Sequence, residues 1–302
     1  MPELPDVTIY IEALSSRILG EPLERLRIGN PFVVRTIAPG PDALAGRKVT
    51  GLRRLGKRIV IELAGGVAVV IHLMIAGRLR WKERGAAIPG KVGLAALDFP
   101  SGTIVFTEAG SKRQASIHIV EGEAAIDALN PRGLEVMEAD LASFGERLTA
   151  QNHTLKRALT DPRIFSGIGN AYSDEILHAA RLSPMKTTST LTAGEIARLF
   201  DATRTTLTTW IQRLRSQLDG AFPDKVTAFH PEMAVHGRYG LPCPACGSPV
   251  QRIVYARNEA NYCARCQTGG KLLSDRAMSR LLKDDWPRTL DELETMKASR
   301  RQ

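Results

Sequence analysis

The amino-acid sequence predicts an α+β multidomain protein in which an antiparallel β domain, a helical domain and a cysteine-rich hairpin follow one another. Short β-branched segments separated by turn residues fill residues 31–120. Apolar residues return to a helical period beyond residue 134, and the four cysteines form two Cys-x-x-Cys pairs in the last quarter of the chain. Each pattern is typical of one structural class, so three classes succeed one another along 302 residues.

A short helix is predicted first, at about residues 5–19, because Val7, Ile11, Leu14 and Ile18 recur at helical spacing. Turn signals such as Ala64-Gly65-Gly66 separate the strands that follow. These strands are predicted at 49–52, 58–63, 67–72, 94–99, 103–107 and 117–120. Many short strands with hairpin-length gaps favour an antiparallel sandwich or barrel. No glycine-rich phosphate loop follows a strand, so no nucleotide cofactor is expected.

Beyond a predicted linker at 121–134, the helical period returns. Helices are predicted near 138–149, 154–161, 169–181 and 192–218. The last of them opens with Thr192 and Glu195, the spacing of a capping box in which each side chain bonds a free backbone N–H of the first turn. A charged tail, residues 269–302, follows the cysteines and contains a further predicted helix at 272–282.

The cysteines predict a metal site. Cys243 and Cys246 form one pair, Cys263 and Cys266 the other, with sixteen residues between the pairs. Zn²⁺ is held by four ligands in a tetrahedron, and each pair supplies two thiolates from one tight turn. Two disulfides, or a redox dithiol beside spare cysteines, are the alternatives, but nothing else in the chain is typical of a secreted or redox-active protein. We therefore expect one structural Zn²⁺ as the cofactor.

Composition restricts the partners. The formal net charge is +9, which is expected of a protein that binds phosphates. No apolar run reaches membrane-spanning length. The first residues, Met-Pro-Glu-Leu-Pro-Asp, lack the basic start and apolar stretch of a signal peptide. An intracellular, cytoplasmic protein that makes no membrane contact is the expectation.

Three motifs then combine: Met-Pro-Glu-Leu-Pro at the N-terminus, Gly-Ile-Gly-Asn-Ala-Tyr opening a helix at 167–172, and a Cys₄ hairpin ending in Tyr-Cys-Ala-Arg-Cys-Gln. In their order and spacing they resemble the formamidopyrimidine-DNA glycosylase/endonuclease VIII family, and the chain is identified as a divergent member. The resemblance covers nearly all of residues 2–268 and implies four parts. These are an N-terminal β-sandwich at 2–125, a helix-two-turns-helix domain at 132–220, a zinc finger at 236–268 and a charged extension at 269–302.

The resemblance gives the N-terminus a chemical role. Pro2 is a small second residue, so removal of Met1 would leave a free secondary amine whose pKa lies near 8. Such an amine can attack the sugar C1′ of a damaged nucleotide, and the resulting iminium promotes strand cleavage by elimination. Glu3 is implied to shuttle protons, and Lys57, between two strands, is implied to reach the phosphate and the reacting nucleotide. These three residues are the predicted catalytic group.

Further contacts are implied by the same match. Lys156 and Asn170 correspond to residues that contact backbone phosphates at helix starts. Glu175 corresponds to a glutamate near the reacting sugar. Asp6 stands where the family has glutamate, which keeps the charge but shortens the reach. The implied partner is double-stranded DNA with a damaged base or an abasic site, lying between the domains of a monomer that is nucleoid-associated through this DNA.

The family's pattern is broken where an everted base must be replaced. Its wedge position falls on Ile75, with Met74 one place earlier, and either apolar side chain can intercalate. The second loop has no Arg-Arg-Phe, which leaves Lys112 or Arg113 to contact the widowed base. In the zinc finger the phosphate-clamping arginine is replaced by Asn258, although Arg257 is its neighbour.

These features predict a bifunctional DNA glycosylase/AP lyase of base excision repair whose lesion preference the sequence leaves open. Oxidised purines, oxidised pyrimidines and bulkier or alkylated bases all remain candidates. The first alternative is a lesion- or abasic-site-binding DNA protein that has lost base excision. It is suggested by the altered residues that would replace the everted base and by the missing phosphate-clamping arginine of the zinc finger. The second is a zinc-ribbon adaptor that contacts protein partners through its tail.

Overall fold

The computed structural model describes residues 1–110, 112–224, 226, 230–255, 258–274 and 287–299. The chain divides into two units. The first comprises Met1–Arg132 and Thr208–Ala228, and the second Gly133–Leu207 and Phe229–Gln302. Each unit is built around its own elements, and each carries a different part of the predicted site.

The first unit begins with helix α1, Leu4–Ile18, which confirms the predicted N-terminal helix. Glu3 caps it: Asp6 accepts a hydrogen bond from the Glu3 backbone N–H, and the Glu3 side chain bonds the N–H three residues on. The apolar face of α1, including Leu14 and Ile18, packs into the core of the unit. The N-terminus is therefore fixed by a helix that is itself held by the core.

Two antiparallel sheets in this unit confirm the predicted sandwich. Their strands are β1 Pro22–Leu23, β2 Arg25–Ile28, β3 Arg47–Leu55, β4 Arg58–Leu63, β5 Val67–His72, β6 Gly77–Lys82, β7 Gly93–Phe99, β8 Gly102–Glu108 and β9 Ser116–Glu121. One sheet has the order β1-β3-β4-β5-β9 and the other β2-β7-β8-β6. Alternate residues of both sheets share one core with α1.

Three of these strands, β1, β2 and β6, were not predicted. Strand β6 reads Gly-Arg-Leu-Arg-Trp-Lys, and its basic residues hide a period-2 pattern in which Leu79 is buried. The segment predicted as a linker also contains a short helix, α2, at Glu123–Asp127. Ile126 of α2 packs with Val60, Val70 and Val120 on the outer face of the five-stranded sheet, which explains why these strands are apolar on both faces.

The second unit is helical up to residue 207. Its helices are α3 Leu141–Thr149, α4 Leu155–Thr160, α5 Asn170–Ala179 and the start of α6, Ala193–Leu218. The capping box at the start of α6 is present: Glu195 N–H donates to Thr192 Oγ1 over 3.2 Å, and Thr192 N–H donates to Glu195 Oε2 over 2.9 Å. The predicted helices are confirmed to within a few residues.

The cysteine-rich part of the second unit contains the hairpin of β10, Gln251–Tyr255, and β11, Asn258–Tyr262, followed by α7, Ala264–Thr268. A last helix, α8, spans Leu290–Ser299. Most of the tail helix predicted at 272–282 lies outside the described residues, and residues 272–274 are not helical. Across the parts of the chain that are described, no helix combines the length and apolarity needed to cross a membrane.

Candidate active site and metal centre

The N-terminal residues form the first part of the candidate site. Pro2, Glu3 and Asp6 are all buried, and Met1 is half-buried. The carbonyl of Glu3 accepts the N–H of Val7 at 2.9 Å, and the Glu3 N–H donates to Asp6 Oδ2 at 2.8 Å. Because both polar groups of the Glu3 backbone are bonded, the two residues that precede α1 have a defined position.

The surroundings of this terminus lower the pKa of its amino group. With Met1 in place, burial is the largest cause, and the positive charges of Arg78 and Lys57 act in the same direction. Glu3 and Asp6 oppose the shift. An amine whose ordinary pKa is 8.0 therefore loses its proton at a lower pH here than at an exposed terminus. Sequence reasoning missed Arg78, since it lies in β6, a strand that the sequence did not reveal.

Asp6 is the most perturbed acid of the group. Burial raises its pKa from 3.8 to about 7, and the hydrogen bond from the Glu3 backbone only partly offsets the rise. Between about pH 4 and pH 7 the folded protein keeps a proton on Asp6 that the unfolded chain has released. The stability that Asp6 contributes is thus complete below pH 4 and is lost as the pH rises through 7.

Asp6→Asn is expected to reduce this pH dependence, because asparagine keeps an acceptor for the Glu3 N–H and has no charge. Urea unfolding is measured from pH 4 to pH 8. At pH 4 the variant and the wild type should have similar free energies of unfolding. At pH 8 the free energy of unfolding of the variant should exceed that of the wild type by a few kcal/mol. Asp42→Asn, at an exposed carboxylate of the same unit, is the control. Parallel curves for Asp6→Asn and the wild type would contradict the assignment.

Lys57 lies in the two-residue turn between β3 and β4, where Leu55 pairs with Arg58. Gly56 supplies the positive φ of +62° that such a turn needs. Arg58 pairs in turn with His72 of β5, and His118 of β9 lies on the same face two residues from the partner of His72. The turn thus opens onto a basic face of the five-stranded sheet.

This face is basic and partly desolvated. Burial, together with the charges of Arg58, Lys57 and His118, lowers the pKa of His72 to about 4. Burial also lowers the pKa of Arg58, whose Nε is buried and has no hydrogen-bond partner among the described residues. A desolvated guanidinium with an unused N–H favours an anion at this position.

The first loop predicted to enter the DNA is a tight turn, Leu73 to Gly77. The N–H of Gly77 donates to Leu73 O at 2.9 Å, and a Cβ at Gly77 would lie 2.2 Å from that oxygen. Met74 has a positive φ of 52° and is half-buried, whereas the Ile75 side chain is 66% exposed. Of the two apolar candidates, Ile75 projects further into solvent.

The second loop follows β8. Glu108 is buried, and its carboxylate accepts the backbone N–H groups of Gln114 and Ala115 at 3.0–3.1 Å. Lys112 and Arg113 are exposed, and Arg113 donates to the carbonyl of Lys91. Glu108, which sequence reasoning also missed, thus fixes the base of the loop while its cationic residues face solvent.

Residues 219–224, which follow α6, belong to the first unit. Phe222 lies with its ring centroid 5.8 Å from that of Tyr10 and 6.5 Å from that of Trp81. The guanidinium of Arg17 lies 5.5 Å above the Phe222 ring and donates to Gly220 O at 3.1 Å. The aromatic residue of this segment thus packs on the unit that carries the N-terminus.

In the second unit, Lys156 is buried and all three N–H groups of its ammonium have acceptors. They are Asn170 O at 2.7 Å, Ser173 Oγ at 2.8 Å and Asp174 Oδ1 at 2.6 Å. Asn170 is the first residue of α5, after the N-cap Gly169 rather than as the cap itself. Lys156 therefore holds the first turn of α5, and its predicted phosphate contact stays a prediction.

The next residues of α5 bind the segment before the cysteines. Asp174 Oδ2 lies 2.8 Å from His236 Nδ1, and the Glu175 carboxylate accepts the backbone N–H groups of Ala234, Val235 and His236 at 2.7–2.9 Å. Burial is the main reason why the pKa of Glu175 is raised despite these bonds. The predicted role of Glu175 at the reacting sugar is untested, but its observed contacts are structural.

The four cysteine sulfurs lie within 4.8 Å of one another. Two of the separations, Cys246–Cys263 at 3.4 Å and Cys243–Cys266 at 4.0 Å, are close to the edge of about 3.8 Å that a ZnS₄ tetrahedron with Zn–S bonds of about 2.3 Å requires. None of the four is in a disulfide. Four thiolates in this arrangement fit Zn²⁺, as predicted. Arg257 lies outside the described residues, while Asn258 opens β11 opposite Tyr255.

Comparison with protein families agrees with this arrangement. Residues 1–110 match the formamidopyrimidine-DNA glycosylase N-terminal domain, residues 130–219 the H2TH domain of the same enzymes, and residues 240–269 a zinc finger found in FPG and IleRS. The chain belongs to the formamidopyrimidine-DNA glycosylase family. Its fold of β-sandwich, H2TH domain and zinc finger is the fold of that family, and the four cysteines are its structural zinc site.

Three relatives illustrate the similarity. An uncharacterized formamidopyrimidine-DNA glycosylase-like protein of Mycobacterium tuberculosis is 40% identical over 156 residues, 52% of this chain and 95% of that protein. Formamidopyrimidine-DNA glycosylase of Thermus thermophilus is 34% identical over 89% of this chain and 100% of its own length. Crystal structures of the Lactococcus lactis protein with Fapy-dG DNA and with abasic-site DNA share 25% identity and a TM-score of 0.78. Both alignments cover 88% of this chain, with 100% of the protein chain in the Fapy-dG complex and 99% of that in the abasic-site complex.

Proposed function

We propose that the protein is a bifunctional DNA glycosylase and AP lyase that acts on damaged bases or abasic sites in duplex DNA. Membership of a family of DNA glycosylases supports base excision. The observation that carries the lyase proposal is the buried Pro2-Glu3 pair that precedes α1, where burial and the nearby cations lower the pKa of the terminal amine. The Lactococcus lactis relative bound to Fapy-dG and abasic-site DNA suggests the same substrates here.

The chemistry requires removal of Met1. The free electron pair of the Pro2 nitrogen then attacks C1′ of the damaged nucleotide, and the bond from C1′ to the base breaks as the base takes up a proton. Loss of the amine proton and protonation of the sugar O4′ open the ring and leave a C1′=N⁺ iminium. Loss of a 2′ proton expels the 3′ phosphate, and water then hydrolyses the iminium and restores the amine.

Three neighbours suit this sequence of steps. Glu3 is the residue next to the nucleophile and is the proposed proton carrier for base departure and ring opening. Arg78 and Lys57 lower the pKa of the terminal amine, so they favour its nucleophilic form. Both cations are also suited to stabilise the negative charge of a nearby phosphate. The N-terminal unit thus supplies the nucleophile, the proton carrier and the positive charge that favours the uncharged amine.

The basic face beside Lys57 is the proposed contact for the DNA backbone. Arg58→Gln is expected to weaken duplex binding about 10- to 150-fold, because a charge-assisted phosphate contact contributes about 1.5–3 kcal/mol. The slope of log K against log salt concentration should fall by about one. Folding stability should not decrease, since the guanidinium Nε has no protein partner among the described residues.

Arg53→Gln is the matched control for this prediction. Arg53 lies on the adjacent strand β3, and its guanidinium is already paired with Glu62 and Glu123. Its replacement should leave the salt dependence of DNA binding nearly unchanged. If Arg58→Gln and Arg53→Gln have equal effects, the basic face contributes only general charge and the phosphate contact is refuted.

A second candidate function is lesion or abasic-site binding without base excision. It is favoured by the loop after β8, where Lys112 and Arg113 are exposed and no aromatic residue follows them to replace the everted base. Ile75 is the exposed apolar side chain that can intercalate in its place. Without an aromatic side chain to fill the space left by the everted base, the free-energy cost of eversion would rise above its usual few kcal/mol.

One experiment separates the two functions. The processed protein is incubated with duplexes that contain an abasic site or an oxidised, ring-opened or alkylated base, in the presence of borohydride. The enzyme is expected to release at least one of these bases and to form a covalent adduct. Binding of the abasic duplex without base release from any duplex would favour the binding protein. No adduct, from a protein that begins with Pro2, would refute the lyase proposal.

A further inference from the structure

His178, in the last turn of α5, contacts one of the zinc ligands. Its Nε2 lies 3.2 Å from Cys243 Sγ. Cys243 is buried, at 2% exposure, and His178 is half-buried. Among the described residues, the group whose ligand atoms lie together consists of the four sulfurs alone. His178 therefore approaches one sulfur from outside the metal cluster rather than completing it.

The chemistry of the sulfur decides the direction of this contact. A zinc-bound thiolate offers lone pairs and no proton, so the ring nitrogen that faces it must be the donor. Four thiolates around Zn²⁺ leave a net charge of −2 on the centre, and an N–H directed at one sulfur stabilises that charge without adding a proton to it. Donors of this kind orient metal ligands and alter their reactivity.

Two other residues of α5 contact the polypeptide that leads to Cys243. Asp174 and His178 are four residues apart, so they lie on the same side of the helix. Asp174 contacts His236, and Glu175 holds the N–H groups of residues 234–236. A further contact joins Gln267 Nε2 to Leu182 O at 2.8 Å. The zinc centre and helix α5 are thus connected by one continuous set of polar contacts.

We propose that His178 is a positioning residue of the zinc finger, which donates its Nε2–H to the Cys243 thiolate and so fixes the metal centre to the last turn of α5. The hydrogen bond draws electron density from that sulfur and so lowers the nucleophilicity of Cys243. The inference depends on the zinc site and not on the proposed DNA chemistry, so either can fail without the other.

The test compares the zinc-loaded full-length protein with His178→Phe, which removes the donor, and His178→Gln, which keeps an N–H donor. Each protein reacts with iodoacetamide while a chromogenic chelator reports zinc release and mass spectrometry identifies the alkylated cysteine. In the phenylalanine variant, alkylation of Cys243 is expected to rise about tenfold, the rate equivalent of one hydrogen bond to a charged group. The glutamine variant should stay close to the wild type.

Cobalt substitution gives a second readout. Removal of the donor should move the sulfur-to-cobalt charge-transfer band of His178→Phe to lower energy, because the Cys243 lone pairs are no longer stabilised. His153→Phe, at a histidine of the same unit that contacts Gln151, should change neither readout. An unchanged band with unchanged alkylation would overturn the proposal. An equal increase at all four cysteines would also overturn it, since it would mean that the finger has only loosened.

Discussion

Pro2→Leu is expected to abolish borohydride trapping on abasic-site DNA. A bulky second residue prevents removal of Met1, so the free amine becomes primary and lies one residue before its proper position. The loss should be at least about 10³-fold in the rate of adduct formation, as expected when the nucleophile of a covalent mechanism is removed. Intact-mass analysis verifies that Met1 is retained, and single-turnover trapping measures the rate.

Pro5→Ala is the matched control, because Pro5 is also buried in the first turn of α1 but takes no part in the proposed chemistry. It should trap DNA at a rate close to that of the wild type. Abasic-site binding by Pro2→Leu should persist, since the basic face beside Lys57 is unchanged. An adduct that still forms in the Pro2→Leu protein would show that another amine, such as that of Lys57, is the nucleophile.

The parts of the fold that the sequence predicts well are those whose signals are local. Strands β4 and β5 follow the β-branched runs 58–63 and 67–72 residue for residue. The helix at 192–218 is marked by its capping box, and each zinc ligand has a partner three residues away in sequence. Local periodicity and short motifs depend only on residues that are close in sequence, so they can be recognised in a single chain.

The contacts that define the candidate site are not local, and this limits what the sequence can reveal. Lys156 meets Asp174 across 18 residues, and Glu175 meets residues 234–236 across about 60. No spacing rule connects such pairs, because the fold brings them together. Resemblance to relatives assigned Lys156 to a phosphate, whereas its position in the structure gives its N–H groups three protein acceptors.

Arg78 and Arg58 illustrate a second limit. An arginine beside the N-terminus and an arginine with an unused N–H both look in sequence like ordinary surface charges. Only burial distinguishes them, and burial depends on strands that pair across the sheet, β4 with β5 and β6 with β8. The same holds for Met74 and Ile75, where the backbone of the turn decides which side chain faces solvent.

Lys156→Met is expected to destabilise the second unit by about 3–5 kcal/mol, because it leaves the carboxylate of Asp174 buried without its cation. Urea unfolding measures the loss. The double variant Lys156→Met/Asp174→Asn removes both charges and should be more stable than the sum of the single changes implies, by about 1–3 kcal/mol. Lys186→Met is the control, since its ion pair with Glu195 is partly exposed and should contribute at most about 1 kcal/mol.

The same variants distinguish the two roles of Lys156. If it holds the first turn of α5, stability falls in Lys156→Met and recovers in part in the double variant, and DNA binding follows the fraction of folded protein. If it contacts a phosphate instead, Lys156→Met should weaken DNA binding about tenfold and lower its salt dependence, with stability changed by less than about 0.5 kcal/mol. The second outcome would require Lys156 to leave Asp174 when DNA binds, at the cost of an unpaired buried carboxylate. For this reason we expect the first.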